Sequence, residues 1–199
     1  MAAGYNALMT QTLPKIHARR DLDPTGRMQI EEIDLEFANG QRRTFERVRS
    51  RGLGAVIIVP MRDDDTVLLV REYAAGLHHY ELGLPSGRLD PGETALVAAN
   101  REMKEEIGFG AGQLTALTTL ALAPSYMAHR TQVVLARSLY PEKLPGDEPE
   151  ELEVVPWRLD RLNELIGHPA CNDGRTLAAL FIAREYLAKR WQPPTQGAK

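Results

Sequence analysis

Glu102, Glu105 and Glu106 stand at i, i+3 and i+4 of one apolar-periodic stretch, so a helix there would crowd three carboxylates onto one side. Like charges so placed repel by roughly 0.2–0.5 kcal/mol per pair on an exposed helix. A cation is needed to offset that repulsion. Arg101, four residues before Glu105, and Lys104 supply part of it. Hard divalent cations such as Mg2+ are the stronger answer, because they take several carboxylate oxygens at once. The plain alternative is a solvated acidic helix face.

The helix itself is legible. Thr94 is an N-cap residue, Ala95 to Ile107 is rich in helix formers, and Gly108 is a C-terminal stop. Leu96, Ala99, Met103 and Ile107 fall at helical spacing and define the core-facing stripe, with the glutamates on a different face. Before it, Gly87 and Gly92 are read as glycines placed for positive φ. Residues 1–28 read as an irregular arm with short strand pieces, carrying Arg19, Arg20 and Arg27. From Ile30 to Val48 two alternating runs flank Asn39-Gly40, a strong hairpin signal.

Gly54–Met61 is a continuous apolar run, as expected of a central strand. Asp63-Asp64-Asp65 lacks the spacing of a calcium loop and reads as a turn into a strand over Thr66–Tyr73. His78-His79 lies in a loop without a partner at ligand spacing. Leu114–Leu122 and Thr131–Ala136 read as strands and Pro141–Glu151 as a Pro-rich acidic loop. Val154–Trp157 is a short strand end, and Asp160–Ile166 and Arg175–Trp191 read as helices. The last presents Leu177, Leu180, Phe181, Tyr186 and Leu187 as its buried side. This gives three regions: a dimerising arm and hairpin over 1–51, a main domain over 52–191, and a flexible tail over 192–199.

Composition narrows the class. With 199 residues and 43% apolar content the chain can bury one good core. A formal charge of -3 gives no basic footprint for nucleic acid. No apolar run of about 18 residues reaches across a membrane. The first residues lack the build of a secretory signal, and Cys171 stands alone, which fits a reducing, cytoplasmic setting. As a lone thiol it reads as a small buried filler.

The segment Gly87–Phe109 resembles the Nudix box: Gly87, five residues, Glu93, seven residues, Arg101-Glu102, Met103, one residue, Glu105-Glu106, one residue, Gly108 and the apolar Phe109. A chance match arises on the order of once in 10^9 start positions at average residue usage. The chain is therefore identified as a member of the Nudix hydrolases. The resemblance implies an α+β fold, a mixed β-sheet sandwiched between α-helices, here with an N-terminal antiparallel hairpin. It also implies hydrolysis of a nucleoside diphosphate linked to another group, with two or three Mg2+ or Mn2+ ions per site. The ions would be held by Glu102, Glu105, Glu106 and the carbonyl of Ser86, while Arg101 orients carboxylates and Glu93 holds Arg101.

Similarity to family members acting on ADP compounds extends beyond the box, over roughly residues 28–190, through Ile33–Phe37, Phe45–Arg47, Arg71–Tyr73, Tyr80–Gly83 and Ala123–Tyr126. It implies release of AMP from ADP-ribose, diadenosine polyphosphates or reduced NAD. The acidic loop aligns with the ADP-ribose pyrophosphatase branch so that Glu148 is the general base and Glu150 its helper, against a solvated charge run. Arg47, Arg71, Glu81, Pro124 and Tyr126 are the substrate-contacting positions it implies. Glu72-Tyr73-Ala74 lacks that branch's arginine, and Glu81–Gly87 is two residues longer than its counterpart there. Related enzymes are homodimers built through the N-terminal segment. A non-catalytic domain that senses ADP-ribose or NAD is the alternative, disfavoured because all three glutamates are kept.

Overall fold

The computed structural model describes residues 12–22, 29–49 and 52–194. Arg27, Arg51 and the last part of the tail lie outside the described residues. The chain forms two compact units. One comprises Met1–Arg51 with Ala123–Ala128, the other Gly52–Leu122 with His129–Lys199.

The first unit is a four-stranded sheet. β1 (Lys15–Asp21) pairs antiparallel with β2 (Gln29–Glu36), which pairs antiparallel with β3 (Arg42–Arg49). The Asn39-Gly40 turn forms as its chemistry requires: Gly40 takes φ +78 and the Asn39 side chain accepts from the Gln41 amide at 3.1 Å. A continuous strand, β1, occupies part of what the sequence suggests is an irregular arm; it finds a partner in β2 that local pattern does not reveal. The short β9 (Met127–Ala128) joins β3 in parallel, so the loop after Leu122 belongs to this unit.

The second unit holds a mixed sheet and an antiparallel one. The mixed sheet runs β7 (Ser86–Arg88), β4 (Ala55–Pro60), β10 (Arg130–Pro141), β8 (Phe109–Ala121), with β4 and β10 parallel. The other runs β11 (Glu153–Arg158), β5 (Thr66–Ala74), β6 (His79–Gly83). α1 (Ala95–Glu106), a 3-10 turn (Leu159–Glu164) and α2 (Gly174–Leu187) complete it.

Strand alternation builds two cores. Ile57 and Val59 of β4, Val67 and Leu69 of β5, and Val133 and Leu135 of β10 pack with Leu162, Leu165, Ala179, Leu180 and Ala183. Their neighbours Val56, Ile58, Leu68, Val70, Val134 and Ala136 pack with Ala95, Ala98, Ala99, Met103 and Ile107 of the α1 segment. Helices thus cover both faces, the sandwich the resemblance implies. Among the described residues no helix is long and apolar enough to cross a membrane. Cys171 is buried, and burial pushes its thiol up to about 11, which suits an inert filler.

Three local expectations are corrected. Leu96 lies on the exposed side of α1, because the buried stripe runs through Ala95, Ala98, Ala99 and Met103 instead. α2 stops at Leu187 rather than Trp191, with the backbone turning left-handed at Lys189. His79 opens β6, where its Nε2 lies 2.8 Å from Glu81.

Candidate active site

The site is built around the α1 helix. The Thr94 hydroxyl accepts from the Val97 amide at 3.3 Å and sets where the helix begins. At the far end Gly108 takes φ +75 and releases the chain into β8. Between them Arg101 gathers the carboxylates. Its Nε and Nη2 donate to the two oxygens of Glu93, each at 3.0 Å, in a fork-to-fork pair. Nη1 donates to Glu102 at 2.8 Å and Glu105 at 3.0 Å, and Nη2 also reaches the Arg88 carbonyl. Lys104 does not share this duty; it points the other way and pairs with Glu142 at 2.8 Å.

Glu106 is in a different situation. Only 7% of it is exposed, on the edge of the buried stripe rather than on a separate face. Its oxygens accept from the Ser86 amide at 3.3 and 3.4 Å. Burial, then the charges of Glu102, Glu72 and Glu148, push this carboxyl up to about 9. Glu102 is also raised, by burial above all, despite its bond to Arg101.

Gly87 leaves room for a neighbouring side chain and does not adopt positive φ. A Cβ there would overlap the Glu102 carboxyl group. Gly92 does adopt φ +89, in the turn where Glu93 accepts from the Asp90 amide at 3.0 Å.

The acidic loop closes the other wall. Glu102, Glu105 and Glu106 line a cleft of about 380 Å³ with Lys143, Asp147, Glu148 and Glu150. The loop is docked on the end of α1, where the Leu144 amide donates to the Lys104 carbonyl at 3.0 Å and Lys143 Nζ to the Glu105 carbonyl at 2.7 Å. These bonds satisfy helix-end acceptors and fix the loop's near half. Burial and Asp147 raise the Glu148 carboxyl above the ordinary range. Glu72 at the end of β5 is raised likewise, by burial and then by Glu148.

Other expected positions lie elsewhere. Arg71 pairs with Glu153 at 2.8 Å. Glu81 accepts from the Asn172 amide and side chain at 2.8 and 2.9 Å, and so ties β6 to the segment before α2. Arg47, Pro124 and Tyr126 belong to the first unit. There Arg47 holds the buried Glu31 at 2.6 Å, while the Tyr126 carbonyl accepts from the Val48 amide. Burial pushes Glu31 up, but Arg47, Arg19 and Arg49 outweigh it and keep the carboxyl below its usual range.

Sequence reasoning missed Glu72, Lys143 and Tyr80, whose hydroxyl donates to Glu150 at 2.6 Å. Only Glu72 left a signal, a charged residue ending an apolar strand.

Among the described residues no three carboxylate, imidazole or thiolate groups already stand together as a metal-holding set. Arg101 draws Glu102 and Glu105 to itself and serves as their counter-cation. The donor chemistry nonetheless fits a hard divalent ion. All the side-chain donors are carboxylates, and Glu106 is buried among like charges with a backbone amide as its hydrogen-bond partner. A cation bound there would relieve that strain directly.

The NUDIX domain family matches residues 52–181, and the NudE-type Nudix hydrolase N-terminal domain matches residues 14–47. The chain is 51% identical over 158 residues to the ADP compounds hydrolase NudE of Escherichia coli (strain K12), covering 79% of this chain and 84% of that one. It is 30% identical over 149 residues to an ADP-ribose pyrophosphatase of Bacillus subtilis (strain 168), covering 74% and 80%. A crystal structure of an ADP compounds hydrolase superposes with a TM-score of 0.82 at 45% identity, over 91% of this chain and 97% of that one.

Proposed function

This chain belongs to the Nudix hydrolase family, and from that premise we propose that it cleaves the diphosphate linkage of ADP compounds and releases AMP. ADP-ribose, diadenosine polyphosphates and reduced NAD are the substrates we infer. The observation that carries the reading is the convergence of Glu102, Glu105, Glu106 and Glu148 on one cleft beside Arg101. The named activities of two relatives, an ADP compounds hydrolase and an ADP-ribose pyrophosphatase, support the adenosine diphosphate part.

Glu102, Glu105, Glu106 and the Ser86 carbonyl would hold two or three Mg2+ or Mn2+ ions. When bound, such ions neutralise the diphosphate and make water a better nucleophile. Glu148 takes the proton from the attacking water, a task that a carboxyl with raised proton affinity suits. Glu150 keeps the loop acidic and in place beside it. Arg101, gripped by Glu93, orients the α1 carboxylates of Glu102 and Glu105. Arg47, Pro124 and Tyr126 contact the substrate. Arg71 and Glu81, paired here with Glu153 and Asn172, complete the substrate-contacting set. The assembly is a homodimer.

Incubation of the purified chain with ADP-ribose and Mg2+ should release AMP, and a chelator should stop it. Binding of ADP-ribose without any AMP release would leave only a sensing domain.

A further inference from the structure

Between Pro141 and Glu153 the acidic loop has no helix or strand of its own. Its near half rests on the end of α1 through Leu144 and Lys143. Its far half is fastened by a phenol. The Tyr80 hydroxyl donates to Glu150 at 2.6 Å, the length of a charge-assisted O–H to carboxylate bond. That phenol stands on a braced strand. Leu82 of β6 donates its amide to the Ala170 carbonyl, and Glu81 is bound twice by Asn172. The Tyr80 ring meets Tyr73 edge-on with centroids 5.8 Å apart. The Tyr73 hydroxyl in turn bonds His78 Nδ1 at 2.6 Å, at a turn residue held at φ 56.

We propose that Tyr80 is a positioning residue for the hydrolytic reaction: by holding Glu150 it fixes the far half of the acidic loop, so that Glu148 stays turned into the cleft. The proposal rests on the reading of Glu148 as the general base. The geometry favours a latch over a substrate contact. The hydroxyl is already committed to Glu150, two residues from Glu148, and the ring is held at its edge by Tyr73. Between the helix contact at Leu144 and the core contact at Leu152, just ahead of β11, the Tyr80 bond holds Glu150, and shortening that side chain by one oxygen releases the stretch that carries Glu148.

Three full-length variants test this: Tyr80→Phe, Glu150→Ala and the double. Phenylalanine keeps the ring and its packing, so folding is retained. Amide hydrogen exchange is read without substrate or metal. Tyr80→Phe should speed exchange in residues 147–152 and leave α1 unchanged, whereas Tyr73→Phe should leave the same loop unchanged. In turnover, Tyr80→Phe should lower kcat about tenfold with KM within about twofold, the pattern of an interaction needed only for the chemical step. The double variant should lose no more than Glu150→Ala alone. Additive losses, unchanged loop exchange, an equal effect of Tyr73→Phe, or a rise in KM with kcat kept would each overturn the latch. Glu148→Gln with undiminished kcat would remove the base reading instead, and the exchange result would still judge the latch.

Discussion

At the scale of single residues the molecule spends stability on its site. Glu106 is buried beside Glu102 and Glu72, and its proton is held up to about pH 9. A folded-state pKa raised above the ordinary carboxyl value means that the native state binds more protons than the unfolded chain between roughly pH 4.5 and 9. Without divalent ions, stability therefore falls as pH rises through that window. Glu106→Gln keeps the acceptor for the Ser86 amide and removes the titration. In chelator at pH 8 this variant should melt at least about 3 °C above the parent, with the gap closing toward pH 5. With ions supplied it should be folded and inactive. A gap that does not grow with pH would mean that Glu106 is ionised in the folded protein, and near-native turnover would remove it from the metal set. Gly87 makes the same point by volume. Gly87→Ala puts a methyl group where the Glu102 carboxyl lies, so that carboxyl must move. We expect kcat/KM to fall by roughly 10–100-fold, the scale of a displaced catalytic group, while the circular dichroism spectrum is unchanged. Undiminished activity in Gly87→Ala would show that Glu102 is not needed at that place.

At the scale of elements the site is a helix and a loop that complete each other. α1 leaves carbonyls open at Lys104 and Glu105, and the acidic loop supplies their donors, so capping the helix also sets the cleft wall. Glu148→Gln should lower kcat by about 10²–10⁴-fold, as for loss of a general base, with little change in KM. If KM rises and kcat holds, the loop binds substrate and the base lies on α1. The helix was readable in the sequence because its signals are local: a capping threonine, an apolar period and a terminal glycine. β4, β5 and the hairpin of β2 and β3 were readable for the same reason. The rest depends on distance in the chain. β7 is three residues long and makes sense only beside β4. Leu96 fits the apolar period, but α1 turns Ala95 and Ala98 to the core in its place. Glu72 and Glu148 lie far apart in sequence, and their mutual influence comes from the fold alone. Arg101 could be paired with Glu105 by counting, but its grip on Glu93 required a family pattern.

At the scale of the whole molecule the question is what the N-terminal unit does. Its described part is a small sheet with no helix of its own to cover a face. Ile16, Ile30 and Phe45 are each about 40% or more exposed, and Arg42, Arg43 and Arg49 add a basic strand. Covering those exposed apolar side chains would stabilise the sheet further. We propose that a two-fold dimer, the commonest oligomer, provides that cover, with the arginine-bearing strand of one copy reaching the diphosphate of the other. Light scattering at micromolar concentration should therefore give twice the 22.2 kDa of one chain. Arg47→Lys separates the structural from the binding duty. Lysine keeps a positive charge beside the buried Glu31, so the fold survives, but the planar fork is gone. KM should rise about tenfold with kcat little changed, as when binding common to ground and transition states is removed. Mixing Glu106→Gln chains with Arg47→Lys chains should then restore low-substrate activity beyond the sum of the two, because a mixed dimer has one site with both residues intact. A mass near that of a single chain would rule the crossing out, and a truncation that starts at Leu53 should in that case remain active.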